Sequence, residues 1–281
     1  MGIWPVILGV GILVAVMLLF NQYIVMMKKK KLLFDIGESV KINPLKFIYK
    51  KVDRRNLGLD VYLPENHSEA QFPAVIFIHG EGPFINDAKD WTILTSYGRL
   101  LAGMGFAGIT FNHRGAGLNW LKIDDAATDI LDAIGFVRKN AAAWNVDENR
   151  ICVWAFSAGG IYLSLFLKDH LDGVKCLVSF YGLLDLRTWV KDLPEALTEY
   201  TPEQYLTAGG ARPPFLIVKA AKDIRRINDA VASFIQRADE KKVNYELLVH
   251  SSGRHAFDAL DDNQETRDII KRTLEFIKEN T

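Results

Sequence analysis

The strongest constraint on the fold is a set of short apolar runs that alternate with helix-like segments. Typical runs read PAVIFIHG, ICVWAF, GVKCLVSFYG and PPFLIVKAA. A strand with one solvated face alternates apolar and polar residues, so nearly continuous apolar runs indicate strands covered on both faces. The pattern therefore predicts an α/β fold with a mostly parallel central sheet flanked by helices. The predicted helices lie near Trp91–Met104, Asp124–Asn140, Asn228–Glu240 and Gln264–Asn280.

The N-terminal run is apolar enough to cross a membrane. Ile3–Met27 carries no charged residue, and Lys28–Lys31 follow it. At about 1.5 Å per residue the run reaches roughly 37 Å, which exceeds a hydrocarbon core of about 30 Å. A cleaved signal peptide is the alternative, but it requires a basic start, a shorter apolar core and a small-x-small cleavage site, which this run lacks.

These features predict one transmembrane helix in a single-pass membrane protein. We assign residues 1–31 to the anchor and its basic flank, 32–45 to a linker, and 46–281 to the folded domain. Short lysine-rich flanks stay on the cytoplasmic side of a membrane. The folded domain is therefore expected in the cytoplasm.

Charge and cysteine usage exclude other classes of protein. The formal net charge is zero, but residues 1–31 hold four lysines and no acidic residue, so the remainder is mildly acidic. This balance predicts no nucleic-acid surface. Cys152 and Cys176 both lie in strand-like apolar runs, which favours buried free thiols. Their spacing matches no zinc or redox pattern, and no metal or cofactor is expected.

Polar and small residues follow several of the predicted strands. They are HGEG at His79–Gly82, SAGG at Ser157–Gly160, AKD ending at Asp223, and GRHAF containing His255. The carboxyl ends of parallel strands share one edge of a sheet, where ligands bind. A serine hydroxyl becomes a good nucleophile when a base takes its proton and a carboxylate orients that base. Ser157, His255 and Asp223 are thus candidates for one catalytic triad.

Each triad candidate has a competing interpretation. Ser157 could be an ordinary helix N-cap, but an N-cap does not explain the small residues crowded behind it. Asp229 competes with Asp223, which we favour because it directly follows an apolar strand. His250 competes with His255, but it lies within the last strand and is expected to pack there as a buried histidine.

The stretch from about residue 47 to 281 resembles the α/β-hydrolase superfamily, and within it the esterase and dienelactone-hydrolase-like branch. The chain order Ser, Asp, His matches that superfamily, HGEG resembles its oxyanion motif, and NHRGAG resembles its arginine-glycine turn. The resemblance implies Ser157 as nucleophile, His255 as base and Asp223 as the acid that orients it. It also implies that the backbone N–H groups of Gly80, Glu81 and Ala158 form the oxyanion hole.

Two positions depart from the family pattern. Ala155 stands where the G-x-S-x-G frame has glycine. The turn brings the positions two before and two after the serine together, so a small side chain suffices there. Glu81 replaces a glycine of the HGGG form. Its carboxylate is expected either to face solvent or to lie near the pocket, where it would disfavour anionic substrates.

The substrate pocket is predicted from aromatic residues in nearby loops. They are Trp120, Tyr181, Trp189 and Tyr205. The stretch of about residues 184–212 is predicted to form a small cap. Arg114 is interpreted as a brace for loops through their backbone carbonyls, with a substrate-carboxylate clamp as the alternative.

The combined features predict a serine hydrolase that cleaves carboxylic esters through an acyl-enzyme intermediate. Its partners are a small ester or acyl substrate and the membrane, and the sequence does not indicate an oligomeric state. A peptidase of the prolyl-oligopeptidase type and an acyl-thioester or lipid hydrolase are alternatives within the same fold. A membrane-tethered, non-catalytic binding protein is the alternative from another class.

Overall fold

The computed structural model describes residues 21–22, 24–65, 70–81, 85, 87–115, 120, 122–169, 171–208 and 212–281. The strands are β1 (Leu45–Val52), β2 (Arg55–Tyr62), β3 (Phe72–Ile78), β4 (Ala107–Phe111), β5 (Val146–Phe156), β6 (Val174–Phe180), β7 (Phe215–Ala220) and β8 (Glu246–His250). The numbered helices are α1 (Thr92–Gly103), α2 (Ile123–Asn140), α3 (Ser164–Lys168), α4 (Arg225–Glu240), α5 (Phe257–Leu260) and α6 (Gln264–Asn280). Short 3-10 helices lie at Gly37–Lys41, Ala88–Asp90, Ala142–Trp144, Ser157–Leu163, Leu186–Thr188, Glu195–Tyr200 and Pro202–Tyr205.

Within the described residues the strands form one eight-stranded sheet in the order β1-β2-β4-β3-β5-β6-β7-β8. β1 and β2 form an antiparallel hairpin, and β2 is also antiparallel to β4. All the remaining pairs are parallel. The prediction of a mostly parallel sheet flanked by helices is therefore confirmed. The carboxyl ends of β3, β5, β7 and β8 all lie along the same edge of the sheet.

Both faces of the sheet are covered by helices. Successive residues of a strand point to opposite faces. In β5, Ile151 and Val153 pack in a core that includes residues of α2 and α4, whereas Cys152 and Trp154 pack with residues of α1 and α6. This double burial explains why the strand is apolar at every position from Ile151 to Phe156.

The two cysteines are neighbours in the register of β5 and β6. Cys152 and Cys176 are both buried and free. Burial raises the pKa of the Cys152 thiol well above its ordinary value, which keeps this thiol protonated. The prediction of buried free thiols is confirmed.

The predicted transmembrane helix, Ile3–Met27, lies for the most part outside the described residues, since 1–20 and 23 are not among them. Within the described ranges, no helix combines the length and the apolar character needed to cross a bilayer. Residues 24–28 are helical, and Ile24 and Met27 are only 4% and 5% exposed. We call residues 24–34 the N-terminal segment, and it packs against the domain.

The stretch predicted as a linker, residues 32–45, also packs on the domain. It contains the 3-10 helix Gly37–Lys41, and its Leu32 and Ile42 are buried. The backbone oxygen of Ile42 accepts a hydrogen bond from Arg99 Nε in α1 at 3.1 Å. These contacts fix the stretch to the domain.

The predicted cap, residues 184–212, consists in its described part of short 3-10 helices and connecting loops. Leu186, Leu197 and Leu206 from this stretch are buried in the same core as α2 and α4. The Asp185 carboxylate binds the Arg187 guanidinium at 2.8 Å. The cap is thus a packed edge of the domain rather than a separate layer.

Candidate active site

The backbone turns sharply at Ser157, where β5 ends and the 3-10 helix Ser157–Leu163 begins. Ser157 has a φ of +54°, in the left-handed region that is unfavourable for residues with a side chain. The turn directs the serine out of the strand at the carboxyl edge of the sheet. Backbone strain of this kind at a polar residue is typical of functional sites.

Glycines behind the serine allow the helix to approach its neighbours. A Cβ at Gly159 would lie 2.6 Å from the carbonyl oxygen of His79 and 2.9 Å from that of Ile78. A Cβ at Gly160 would lie 2.9 Å from the backbone nitrogen of Leu183. The small residues after Ser157 are therefore required by the backbone that follows β3 and β6.

The structure gives a different reason for the small residues from the one expected. The atoms nearest to a Cβ at Gly159 belong to Ile78 and His79, not to Ala155. Ala155 is fully buried and is paired with Ile78 and Ser179 in the sheet. Alanine at position 155 is therefore part of the strand core.

The structure brings Ser157, His255 and Asp223 together in one hydrogen-bonded chain. Ser157 Oγ lies 2.8 Å from His255 Nε2. His255 Nδ1 lies 2.8 Å and 3.0 Å from the two carboxylate oxygens of Asp223. The Asp223 side chain is wholly buried, whereas 23% of the His255 side chain is exposed. A carboxylate on Nδ1 favours the tautomer with its proton there, which leaves Nε2 free to accept the serine proton.

The two competing residues lie elsewhere. Asp229 is in α4 and pairs with Arg225 at 3.6 Å, with 55% of its side chain exposed. His250 is buried at the end of β8, where Nε2 is 3.0 Å from Thr266 Oγ1. Its Nδ1 is 3.0 Å from a carboxylate oxygen of Glu265. Neither residue is hydrogen-bonded to Ser157 or His255.

Asp258 is a residue of the site that the sequence interpretation missed. Its carboxylate accepts hydrogen bonds from Tyr97 Oη and Tyr181 Oη, each at 2.9 Å. The Tyr181 ring in turn packs edge-on against the His255 ring, with centroids 4.9 Å apart. Burial raises the pKa of Asp258 to about 6. The available signal was an aspartate within the otherwise apolar HAFDAL stretch.

Asp258 is expected to impose a pH dependence on stability. Its folded-state pKa is about 6 and its ordinary value is 3.8, so folding takes up a proton between these values. The contribution of Asp258 to the free energy of unfolding therefore falls as the pH rises through this window. Asp258→Asn has no proton to lose. Relative to wild type, its free energy of unfolding should rise by about 2 kcal/mol between pH 4 and pH 7.

Urea unfolding at several pH values measures this difference. A constant offset between Asp258→Asn and wild type reflects the altered hydrogen bonds to the tyrosines. Only the part of the difference in free energy of unfolding that changes with pH reports the raised pKa of Asp258. Asp262→Asn is the control, because 72% of the Asp262 side chain is exposed. A difference that stays constant from pH 4 to pH 7 would contradict the prediction.

The predicted oxyanion residues lie close to the serine. A Cβ at Gly80 would be only 3.1 Å from the Cβ of Ser157, which explains glycine at this position. Gly80 O accepts a hydrogen bond from His79 Nδ1 at 2.8 Å. Burial lowers the pKa of His79 well below its ordinary value, so this histidine is neutral and supports the loop. Ala158 follows Ser157 in the 3-10 helix, and Gly82 lies outside the described residues.

Of its two expected positions, Glu81 takes the one near the pocket, since it belongs to the lining of the cavity described below. Only 2% of its side chain is exposed, and Oε1 lies 3.6 Å from His113 Nδ1. Tyr162 Oη donates a hydrogen bond to the same oxygen at 2.6 Å. The carboxylate is therefore held beneath the loop that carries Gly80.

Arg114 lies away from the serine and braces α2. Its Nε and Nη2 bind the two carboxylate oxygens of Asp129, each at 2.8 Å. Nη1 pairs with Asp125 at 3.0 Å. Arg114 is a brace, as predicted, but mainly through carboxylates rather than through backbone carbonyls.

A cavity of about 780 Å³ opens over the serine. Ser157, His255, Trp120, Tyr181 and Trp189 line it. Among the described residues, the lining does not include the fourth predicted aromatic residue, Tyr205, which lies in the 3-10 helix Pro202–Tyr205. No group of three or more His, Cys, Asp or Glu side chains within the described ranges is arranged to hold a metal ion.

The fold is similar to that of a thermophilic esterase from the Planctomycetes species Thermogutta terrifontis. Its native structure matches with a TM-score of 0.69 and 23% identity over 86% of this chain and 94% of that chain. The butyrate-bound structure matches with a TM-score of 0.68 and 23% identity over 86% and 95%. Esterase 2 of that organism phosphorylated by paraoxon matches with a TM-score of 0.67 and 22% identity over 84% and 92%.

At these identities the matches establish the shared fold, which is that of an α/β-hydrolase. A comparison with protein-family models adds a second finding. Residues 59–206, more than half of the chain, match the model of the BD-FAE family. This range includes Gly80, Glu81 and Ser157. The chain therefore belongs to the BD-FAE family.

Proposed function

We propose that the protein is a serine hydrolase that cleaves carboxylic esters through an acyl-enzyme intermediate. The observation that carries the proposal is the hydrogen-bonded chain from Ser157 Oγ through His255 to Asp223, with distances of 2.8 Å on both sides of the imidazole. A serine, a base and a buried carboxylate in this order form the machinery of acyl transfer. The hydrogen-bonded side chains of Ser157 and His255 face a cavity large enough for an organic ester.

In the first half-reaction Ser157 Oγ attacks the carbonyl carbon of the ester while its proton passes to His255 Nε2. The Asp223 carboxylate stabilises the resulting imidazolium. Backbone N–H groups of Gly80, Glu81 and Ala158 are assigned to the developing oxyanion, where one such donor contributes about 3 kcal/mol in comparable enzymes. His255 then donates the proton to the departing alkoxide. In the second half-reaction water attacks the carbonyl carbon of the acyl-enzyme while His255 takes its proton. His255 then returns the proton to Ser157 Oγ, and the carboxylic acid is released.

The similar structures support this chemistry. The Thermogutta terrifontis esterase is described as bound to butyrate and to propionate. Esterase 2 of that organism is described as phosphorylated by paraoxon and phosphonylated by sarin. Organophosphates react with activated nucleophiles such as the serine proposed here. The same fold therefore carries ester chemistry in a relative of similar size.

Covalent labelling tests the proposal. A fluorophosphonate should modify the wild-type protein once per chain, and peptide mapping by mass spectrometry should find the label on Ser157. Loss of p-nitrophenyl ester turnover should follow the labelled fraction. A label on another residue, or full activity after labelling, would overturn the proposal. An aminoacyl p-nitroanilide serves as the counter-substrate, and its preferential cleavage would favour a peptidase.

We further propose that the apolar run ahead of residue 24 is an uncleaved membrane anchor and that the domain lies on the cytoplasmic side. The support is the absence of charge in Ile3–Met27 and the lysine cluster that follows. The test is protease accessibility of the domain in intact and in permeabilised cells. Digestion only after permeabilisation is expected. Digestion in intact cells would overturn the orientation, and recovery of the full chain in the soluble fraction would overturn the anchor.

A further inference from the structure

The N-terminal segment forms one wall of the active-site cavity. Ile24 and Met27, one helical turn apart, line the same cavity as Ser157 and His255. Their side chains are 4% and 5% exposed. Val25 and Met26, on the other side of the same turn, are 48% and 43% exposed. The segment therefore presents two distinct faces, of which one belongs to the active site.

Specific contacts hold this wall in place. Lys28 Nζ pairs with Asp87 at 2.9 Å, and the Lys28 carbonyl accepts a hydrogen bond from Thr92 Oγ1 at 3.0 Å. The Leu33 N–H donates to the Asp258 carbonyl at 2.9 Å. The last contact joins the segment to the helix that follows His255. The wall is thus fixed to both sides of the cavity that it covers.

Other apolar side chains extend the surface that the wall presents to the cavity. Ile85, Ile93, Leu94 and Leu260 line the same cavity. An extended aliphatic chain gains by leaving water for a surface of this kind, because burial of apolar area is the main favourable term.

The charged groups of the lining are placed where they do not oppose such a chain. The Glu81 carboxylate accepts a hydrogen bond from Tyr162. Arg254 pairs with Asp261 at 2.6 Å. Asp258 is held by two tyrosine hydroxyls. Lys222 is exposed.

We propose that the substrate is an ester with an extended aliphatic chain, on its acyl or its alcohol side, and that Ile24 and Met27 set the preference for that chain. This inference rests on the proposed esterase function and adds its substrate class. The chain packs along the wall made by the N-terminal segment while the carbonyl is held at Ser157. Contact with the wall stabilises the transition state with every methylene that reaches it.

Two series of substrates test the inference on the full-length protein. One series is p-nitrophenyl esters from acetate to decanoate, and the other is acetates of straight-chain alcohols of graded length. In at least one series kcat/KM should rise about fourfold per methylene until the cavity is filled, which corresponds to about 0.8 kcal/mol for each buried methylene. A flat or falling profile in both series would overturn the proposed substrate class.

Substitutions of Ile24 and Met27 test whether the N-terminal segment sets the preference for long-chain esters. In the preferred series the pair Ile24→Ala and Met27→Ala should lower kcat/KM for the longest good substrate roughly 15-fold, equal to about two methylene contacts. The value for the shortest ester should change less than about twofold. Val25→Ala and Met26→Ala form the matched control, because both residues belong to the exposed face. Ile24→Thr and Met27→Gln keep more side-chain volume than alanine does and should produce the same selective loss if the alanine pair unfolds.

The outcomes separate the inference from the function on which it rests. An equal loss on short and long esters would show a structural role only and overturn the inference. An unchanged chain-length profile in both pairs of variants would also overturn it, while turnover of short esters would leave the esterase function intact. Absence of turnover on every ester, together with absence of labelling at Ser157, would overturn the proposed function instead.

Discussion

Ser157→Ala is expected to lower kcat/KM for p-nitrophenyl esters by about 10⁴- to 10⁶-fold. The variant removes the nucleophile and the 2.8 Å contact with His255 Nε2. The oxyanion loop and the cavity remain, so the residual rate should still exceed that of water alone. Steady-state kinetics with a single short ester measure the loss, and the variant should also resist fluorophosphonate labelling.

Alanine is the right replacement because it preserves the strained backbone. Ser157 has a φ of +54°, and a glycine there would relax the turn and change stability at the same time. The Ser157→Ala protein should unfold at nearly the same urea concentration as the wild type. A variant that keeps wild-type turnover and stays folded would remove Ser157 from the mechanism. A variant that unfolds would be uninformative about chemistry, and labelling of the wild type would then decide.

Asp223→Asn is expected to lower kcat/KM by about 10⁴-fold. The wild-type carboxylate accepts the His255 Nδ1 proton at 2.8 Å and also accepts the Ile224 N–H at 2.6 Å. One oxygen, Oδ1, makes both of these contacts, and Oδ2 lies 3.0 Å from Nδ1. An asparagine with its oxygen at the Oδ1 position places an NH₂ donor 3.0 Å from Nδ1. That donor opposes the tautomer with the proton on Nδ1 and favours the one in which Nε2 carries the proton and is not able to act as a base. The imidazolium formed during attack also loses its counter-charge.

Asp229→Asn provides the matched control in the same part of the chain. Asp229 has the same chemistry but an exposed side chain paired with Arg225, and its replacement should leave kcat/KM within about twofold. The loss in Asp223→Asn should fall mainly on kcat, since the cavity that binds the ester is unchanged. Equal effects of the two substitutions would contradict the assignment of Asp223 to the triad.

Much of the architecture follows from patterns that are local in the sequence. The apolar runs of β3, β5, β6 and β7 indicate buried parallel strands because each is covered on both faces. Parallel strands in turn bring their carboxyl ends to one edge, and for this reason Ser157, Asp223 and His255 were identified together from their positions after strands. The site is therefore predictable from the order of strands and helices along the chain.

Other features depend on contacts between distant residues. The pairing of Asp258 with Tyr97 and Tyr181 joins three separate elements, and an aspartate in a short apolar stretch does not reveal its partners. Glu81 lines the cavity, which is one of its two expected positions, but the sequence does not reveal that Tyr162, 81 residues further along the chain, binds its carboxylate. The direction of a loop side chain is set by such partners, and they are chosen by the fold.

The N-terminal segment illustrates a different limit. A membrane interior and a protein cavity both require apolar side chains, so hydropathy assigns Ile24 and Met27 to an anchor as readily as to a pocket wall. The lysines that follow them, Lys28–Lys31, are compatible both with a membrane anchor and with a pocket wall. Lys28 counts toward an orientation signal in the sequence, whereas in the folded domain it pairs with Asp87. Only the packing of residues 24–34 distinguishes the two environments.

The bond between the Leu33 N–H and the Asp258 carbonyl also has a consequence for biosynthesis. During synthesis Leu33 is made 225 residues before its partner, Asp258. Until then Ile24 and Met27 have no cavity to line, and they remain available to chaperones or to lipid. Closure of a contact between such distant residues is slow relative to local folding. We therefore expect ester turnover to appear only after residue 258 has been synthesised and this contact has closed.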